Sequence, residues 1–409
     1  MKIRTIFITL YAVLLSAPLL AQNQNIKFSG FGTLGVIYSD SDLYGYRKDV
    51  GSQDGAFSGS LDFKTDSLLG LQVDAAISDD IDFIGQTILK EVTKPSFDRF
   101  LTLAFIRYQA SPQWTFRIGR TAPDLFLLTE FRDVDFAYTW ATPPNEVYGI
   151  IPYRSIDGAD VTYTHRLNNG TLKTKLFTGM ADAEISSKSV TETIKIKDVL
   201  GLSLSYDKFN WALNANFSQV TFANEANSNK AIATQVALMP EFIWPNSIAT
   251  SEELLIKGAK SNYASVSGRY DWDNWRFTAE FSRIDAKVKL IPTISSMYAG
   301  LTYQHDEHSF FMLYSSTSSN AFDISDDNVN IALIPELYMA FTDAVNFYAS
   351  NQDTSSIGWR WNLSNNIAST LQFNVTNINE HGGTLWVKKA QDSSAETVHT
   401  TMFNVSFVF

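Results

Sequence analysis

The strongest constraint on this sequence is an alternation of apolar and polar residues that recurs in short runs up to the last residue. In the final run, Thr401–Phe409, every second residue from Phe403 to Phe409 is phenylalanine or valine, and Asn404 lies between two of them. Side chains of a β-strand point alternately to opposite faces, so one face of this strand is apolar. The first run, Ile26–Tyr38, has the same pattern.

The connections between these runs also alternate in length. Short turns are indicated at Asn168–Gly170, Asp207–Asn210 and Asp271–Asn274, whereas Thr121–Tyr153 and Ala223–Lys260 are long connections. Short turns at one end and long loops at the other are typical of outer-membrane barrels. The sequence therefore predicts an all-β fold, a transmembrane antiparallel β-barrel of about sixteen strands with a water-filled interior. A soluble β-sandwich fits this turn asymmetry poorly.

The N-terminus resembles a secretory signal. Lys2 and Arg4 precede an apolar stretch, Ile6–Leu20, which ends at Ala21 before polar sequence. This pattern predicts a signal peptide over residues 1–21 and one barrel domain over residues 22–409, with a retained anchor helix as the alternative. Past this stretch, no apolar run is long enough for a membrane helix.

Composition excludes several kinds of function. The formal net charge is −11, which argues against a nucleic-acid partner. The chain has no cysteine, so a disulfide scaffold and a thiolate metal site are both excluded. We expect no cofactor. None of the five histidines lies in a metalloprotease or serine-hydrolase motif, so an enzyme is not expected.

The connection Thr121–Tyr153 is long, and it carries both charged and apolar residues. A loop of this length in a compact domain is usually functional or disordered, and this one is too apolar to be a solvated tether. We therefore expect it to fold back into the barrel and narrow the lumen. Its apolar stretches, Leu125–Leu128 and Phe136–Trp140, would pack against the inner wall or form a stacking track for a ligand.

Three stretches of the chain resemble the general (non-specific) porins of the Gram-negative outer membrane: Ile26–Val36, the pairs Gly119-Arg120 and Tyr153-Arg154 around the long loop, and the terminal F-V-F that ends at Phe409. The resemblance implies a homotrimer in the outer membrane, reached through the periplasm. It also implies recognition of Phe409 by the barrel-assembly machinery. In this family the third loop forms a constriction between acids on the loop and cations on the wall.

The resemblance and the strand pattern together give a set of candidate constriction residues. Arg120 and Arg154 match the family's wall arginines, and we add Arg117 and Arg166 because their positions point inward. Local roles remain alternatives. Asp133 and Asp135 would cap the loop or bind Arg132, and the added arginines would pair with acids of neighbouring strands. The family's P-E-F-G-G loop motif is absent. On the loop side, the candidates are Asp124, Glu130, Asp133 and Asp135.

The predicted function is a diffusion channel for ions and small hydrophilic solutes, with a modest preference for cations. The alternative is a substrate-specific channel for sugars or carboxylates. Two further segments, Ala231–Ile256 and Pro335–Ala349, are apolar for extracellular loops, and the second is predicted to contain a short amphipathic helix. They would pack on neighbouring loops, fold over the mouth of the barrel or fold into its lumen.

Overall fold

A computed structural model describes residues 25–320, 328–389 and 394–409, and the side chain of His381 lies outside this description. The predicted signal peptide, residues 1–21, lies outside the described residues.

Sixteen of the eighteen described strands form one closed antiparallel barrel, in which each strand pairs with its neighbours along the chain. Strand β1 pairs with β18 to close the sheet, and Gly30 and Phe409 exchange two backbone hydrogen bonds of 2.9 Å. The two remaining strands, β2 and β17, pair with each other in a separate two-stranded sheet. The strands are β1 (Ile26–Ser39), β2 (Tyr44–Tyr46), β3 (Leu68–Ala76), β4 (Ile81–Lys90), β5 (Leu101–Gln109), β6 (Trp114–Thr121), β7 (Ile156–Leu167), β8 (Gly170–Ser186), β9 (Thr191–Lys208), β10 (Trp211–Phe222), β11 (Lys260–Trp272), β12 (Trp275–Ala286), β13 (Ile294–His305), β14 (His308–Ser319), β15 (Ser350–Ser364), β16 (Ile367–Gly383), β17 (Trp386–Lys388) and β18 (Glu396–Val408).

The predicted strand count and turn asymmetry are confirmed. Turns of two to four residues join the strands at one end of the barrel. We call this the turn end, and the other the loop end. Because the number of barrel strands is even, β1 begins and β18 finishes at the turn end. The loops used below are L1 (40–67), L2 (91–100), L3 (122–155), L5 (223–259), L7 (320–349) and L8 (384–395).

The polarity of the sheet is the reverse of that of a water-soluble barrel. On β12, Phe277 and Phe281 are 43% and 46% exposed, whereas Glu280 and Ser282 are 2% and 5% exposed. The same alternation of exposed apolar and buried polar side chains recurs around the barrel. Such a surface is stable against lipid tails, because the apolar belt faces hydrocarbon and the polar face is enclosed. Separately, none of the described helices has the length and apolar character needed to cross a membrane.

The described α-helices lie in the loops, and those of L5 and L7 pack on one another. The ring of Trp244 in L5 meets that of Phe341 in L7 at 4.9 Å between centroids. Both rings belong to one apolar cluster that also contains Leu125 and Trp140 of L3. The helix predicted within Pro335–Ala349 and the packing of L5 on neighbouring loops are therefore confirmed. The helices are α1 (Phe97–Phe100), α2 (Asn145–Tyr148), α3 (Asn227–Ala237), α4 (Ser247–Glu253) and α5 (Pro335–Asn346).

A second apolar cluster ties L1 and L8 to the first and last strands, and its members include Tyr46, Trp386 and Met402. Beside it, Arg47 is 1% exposed and donates hydrogen bonds to backbone carbonyls in three separate segments. Its acceptors include Ser186 O at 2.6 Å and Thr384 O at 2.5 Å. A guanidinium with five donors can join several carbonyls at once, so Arg47 holds L1, the end of β8 and L8 together.

Glycines leave room for inward-facing rings. A Cβ atom at Gly201 would lie 2.0 Å from the ring of Phe177, which is 2% exposed. We expect Gly201→Ala to lower the free energy of unfolding by about 1–3 kcal/mol, because the ring must shift within a packed region. Urea unfolding of the refolded protein in detergent micelles measures this. The matched control is Gly268→Ala, where the nearest atom is a flexible end of Leu213 at 3.1 Å. Equal losses in the two variants would contradict the steric explanation.

Candidate functional site

L3 connects the fifth and sixth barrel strands, β6 and β7, as the strand count predicted. Hydrogen bonds join L3 to polar side chains of strands between β10 and β18, none of which is a sheet neighbour of β6 or β7. The carbonyl of Leu125 accepts from Tyr263 and Ser265 of β11, at 2.9 and 2.8 Å. It also accepts from Asn216 of β10 at 3.3 Å. All three donors are buried and belong to the polar face of the sheet.

Two buried carboxylates fix L3 to this polar face. Glu280 of β12 accepts hydrogen bonds from the Leu127 backbone N–H at 3.3 Å and from the Tyr148 hydroxyl at 2.9 Å. Glu146 of L3, on α2, is 2% exposed. It accepts hydrogen bonds from three side chains of β14 and β15. These donors are Ser315 at 2.7 Å, Gln352 at 2.7 Å and Thr354 at 2.5 Å.

An arginine fixes the middle of the loop. Arg360 of β15 donates to the carbonyls of Asp135, Phe136 and Tyr138, at 3.3, 2.9 and 2.6 Å. Further along, Asn404 of β18 donates to the carbonyl of Ala141 at 2.9 Å. L3 is thus bonded to strands from β10 to β18.

The end of L3 joins a group of five charged residues, which we call the ionic cluster: Asp49, Lys90, Arg132, Asp133 and Arg154. Arg154 contacts Asp49 at 2.6 Å and Asp133 at 2.9 Å, and Lys90 contacts Asp133 at 3.3 Å. The Arg132 guanidinium donates to the carbonyls of Tyr148 and Ile151 and lies over the ring of Phe126. Three cations thus face two carboxylates.

The loop residues Asp49, Asp133 and Arg132 of the cluster hold their charges at neutral pH. Burial would raise the pKa of Asp133, but Arg154 and Lys90 outweigh it and hold that pKa well below the usual range. Arg154 acts in the same way on Asp49, whose pKa is also lowered against the effect of burial. Burial, followed by repulsion from Arg154, lowers the pKa of Arg132 to about 9, so this side chain remains cationic.

A second charged group lies near the start of L3. Arg117 of β6 pairs with the buried Asp160 of β7 at 2.9 Å and with Glu130 of L3 at 3.8 Å. Lys175 of β8 contacts Asp124 at 2.6 Å and Glu130 at 3.9 Å. Arg117 therefore pairs with an acid of the neighbouring strand, which was one of the alternatives open from the sequence.

The three remaining candidates lie elsewhere. Arg120 is bound by Asp157 at 2.7 Å and by Asp98 of L2 at 2.9 Å. Arg166 lies at the turn end of β7, whereas L3 joins the loop end of that strand, so Arg166 is separated from the other candidates. Asp135, in L3, is buried and lies 3.8 Å from Lys48 of L1.

Two cavities adjoin the charged groups. One has a volume of about 520 Å³ and is bordered by L1, L2 and the adjoining strand ends. The other has a volume of about 310 Å³ and is bordered by L3 and strands β3 to β6. Thr102, Tyr153 and Arg154 line both cavities, whereas Lys90 lines the first and Asp133 the second. The Lys90–Asp133–Arg154 contacts therefore stand where the two spaces adjoin.

Sequence reasoning missed several of the residues that act here. Asp49 and Lys90 were not singled out, because their proximity to L3 depends on how L1 and β4 meet it. Glu280 and Arg360 did carry a signal: each is a charged residue at an inward position between outward apolar residues, as in Trp359-Arg360-Trp361. Among the described residues, no group of three His, Asp or Glu side chains is placed to hold a metal ion.

The chain matches a family described as Gram-negative porin over residues 9–379. No curated protein matches it. Similar solved structures share about a tenth of its residues, so they support the fold alone. OmpF of Salmonella typhi, in complex with daunomycin, is 10% identical with a TM-score of 0.56, covering 94% of this chain and 98% of that one.

Two other solved structures are comparable. The anion-selective porin from Comamonas acidovorans is 11% identical with a TM-score of 0.54, covering 94% of this chain and 99% of that chain. OmpT of Vibrio cholerae, folded in vitro and in its trimer form, is 9% identical with a TM-score of 0.50, covering 94% and 100%.

Loss of the Glu146 carboxylate should release L3 from the barrel wall. Glu146→Ala leaves three buried donors without their acceptor, and hydrogen bonds to charged groups contribute about 1.5–3 kcal/mol each. We expect faster amide hydrogen exchange across residues 122–155, while the strands stay protected. Glu130→Ala is the matched control, because Glu130 is 55% exposed and lies beyond 3.5 Å from its cations. Similar exchange in both variants would rule out an anchoring role for Glu146.

Stability should depend on the protonation of Asp135. Burial raises the pKa of Asp135 to about 6, against the opposing effect of Lys48 at 3.8 Å. A folded-state pKa above the usual value means that folding favours the neutral acid. The contribution of Asp135 to the free energy of unfolding is therefore present at low pH and lost as pH rises through about 6. Relative to Asp135→Asn, the wild type should lose about 2 kcal/mol of unfolding free energy between pH 4 and 7.

Urea titrations over this pH range measure the effect. Asp133→Asn serves as the control, because the pKa of Asp133 is lowered and its contribution changes only at more acidic pH. If the gap between wild type and Asp135→Asn stays constant from pH 4 to 7, Asp135 is ionised throughout.

Proposed function

Because this chain belongs to the Gram-negative porin family, we propose that it is a water-filled channel through which ions and small hydrophilic solutes diffuse across the outer membrane. The observation that carries this proposal is the meeting of the two cavities at the ionic cluster, in a barrel whose enclosed face is polar. Water and polar solutes need such a lining, whereas the apolar outer belt suits lipid.

We further propose that L3 lies within the lumen and forms its constriction. The hydrogen bonds of L3 to buried, polar-face side chains from β10 to β18 support this position. Solutes would then pass on the other side, along β3 to β8, where Lys90, Asp133 and Arg154 stand between the cavities. Asp124, Glu130 and Arg117 would line the same passage towards the turn end.

The charges along this passage are largely paired, so we propose that ion selectivity is weak. The net charge of −11 still predicts a modest cation preference. The alternative is a channel specific for carboxylates, and the observation that favours it is the excess cation of the ionic cluster. A sugar-specific channel gains no such support, because Phe126, Tyr138 and Trp140 of L3 are buried in packing.

We propose a homotrimer as the assembly. OmpT of Vibrio cholerae has a trimer form, and four consecutive strands here, β3 to β6, are only eight to ten residues long. We also propose that the barrel-assembly machinery recognises Phe409, whose ring is 41% exposed at the end of β18.

Single-channel recording in a planar bilayer tests the channel proposal. We expect ohmic current steps, and a reversal potential in a salt gradient that indicates a weak preference for cations. Arg154→Gln should shift this potential further towards cations, since it removes a positive charge where the cavities meet. Arg166→Gln is the matched control and should leave the reversal potential unchanged, because Arg166 lies at the turn end.

Three results would redirect the interpretation. No current at all would reject a channel. Equal shifts for the two arginine variants would reject the proposed position of the constriction. Block of the current by succinate but not by glucose would favour the carboxylate-specific alternative.

A further inference from the structure

Two buried hydroxyls without hydrogen-bond partners lie side by side where the first and last barrel strands meet. Thr33 of β1 and Ser406 of β18 are register partners on the enclosed face of the sheet, and each is 1% exposed. Neither side-chain oxygen makes a hydrogen bond with any residue that the structure describes. Because buried polar groups are almost always paired, two such hydroxyls on adjacent strands indicate a ligand between them.

Two carboxylates from different loops face these hydroxyls. Asp135 of L3 is 3% exposed and Asp66 of L1 is 0% exposed. The 3-10 turn that begins at Asp135 packs against both β1 and β18. Asn404, two residues before Ser406 on the same face of β18, donates to Asp66 Oδ2 at 3.0 Å. Burial raises the pKa of Asp135, and Thr33 opposes this rise because it faces the carboxyl, although not in hydrogen-bond geometry.

We call these four residues the seam site: Thr33, Asp66, Asp135 and Ser406. The backbone of β1 leaves room for one of its carboxylates. Gly35 follows two residues after Thr33 on the same face, and a Cβ atom there would lie 2.5 Å from Asp66 Oδ2. A side chain at this position would displace the carboxylate, so the glycine allows an acid of L1 to approach the barrel wall closely.

The charges of the seam site do not balance. Lys48 Nζ lies 2.5 Å from Asp66 Oδ1 and 3.8 Å from Asp135 Oδ2, and these two oxygens have no other polar partner among the described residues. Since the pKa of Asp135 is about 6, at neutral pH two buried carboxylates share one ammonium. Buried charge without full compensation is costly. The Lys48 side chain is 20% exposed and can therefore turn out to solvent.

We propose that the seam site binds a calcium ion in place of the Lys48 ammonium. Calcium takes about six to eight oxygen ligands, carboxylates among them, and accepts irregular geometry. The seam site supplies two carboxylates and two hydroxyls, and water completes the shell. Two carboxylates balance one divalent ion, whereas Lys48 leaves one negative charge uncompensated. Bound calcium links L1 and L3 to both of the strands that close the barrel.

A calcium titration of the full refolded barrel tests this inference. The protein is treated with EDTA, freed of the chelator, and held in a neutral detergent at neutral pH and constant ionic strength. The urea midpoint of unfolding is measured at each calcium concentration, because an ion that binds only the folded state stabilises it. Magnesium is titrated in parallel and should bind more weakly, since it requires near-octahedral geometry.

Two variants should change the calcium affinity in opposite directions. Asp66→Asn removes a charged ligand and should weaken binding at least about ten-fold. Lys48→Gln removes the competing ammonium and should tighten binding at least about ten-fold, because like charges a few ångströms apart repel strongly. The matched control is Asp160→Asn, which removes a buried acid of the enclosed face that pairs with Arg117, and it should bind calcium as the wild type does.

Three outcomes would overturn the proposal. The first is a wild-type midpoint that does not respond to calcium, which would leave Lys48 as the resident cation. The second is an equal calcium response in wild type and Asp66→Asn, and the third is weaker binding by Lys48→Gln, as a purely structural lysine would give. If Asp66→Asn does not refold, Asp135→Asn replaces it with the same expectation. Heat-dependent gel mobility verifies that each variant is folded.

Discussion

Within a hydrocarbon layer, every backbone amide must find its partner inside the protein, and this chain meets that condition by pairing its first and last barrel strands. The hydrogen bonds between Gly30 and Phe409 complete the closure. Once the sheet is closed, one face meets lipid and the other is enclosed, and the alternation of residues follows from that division. A barrel of sixteen strands is too wide for wall side chains to fill, so its enclosed polar face needs partners other than the side chains of the opposite wall.

The loops use buried charge to hold their places. Glu146 and Glu280 bind hydroxyl, amide and backbone donors. Arg360 donates to three L3 carbonyls and lies over the ring of Phe136. Burying a charge is costly unless hydrogen bonds replace its hydration, and each of these side chains has two or more such bonds. The attachment is consequently directional, because it requires particular donors and acceptors in register, whereas the apolar cluster under L5 and L7 adds adhesion without fixing register.

The sequence predicted what depends on local periodicity, and it could not predict what depends on contacts between distant segments. Strand faces, turn positions and the place of the third loop all follow from period-two alternation. Parity also assigned Arg166 to the inward face, but parity carries no information about height along a strand. Asp133 and Asp135 are two residues apart, yet a 3-10 turn over Asp135–Ala137 separates their surroundings. Their partners, Arg154 and Lys48, come from different loops.

Whole-chain charge is for the same reason a poor guide to the charge that a solute encounters. The net charge of −11 counts every exposed acid of the loops and turns, whereas screening in water limits each of them to about 10 Å. In the proposed passage the relevant charges are those of the ionic cluster, where Arg132 is an extra cation. An acidic chain thus presents positive charge at this place, because the fold gathers cations there that the sequence keeps far apart.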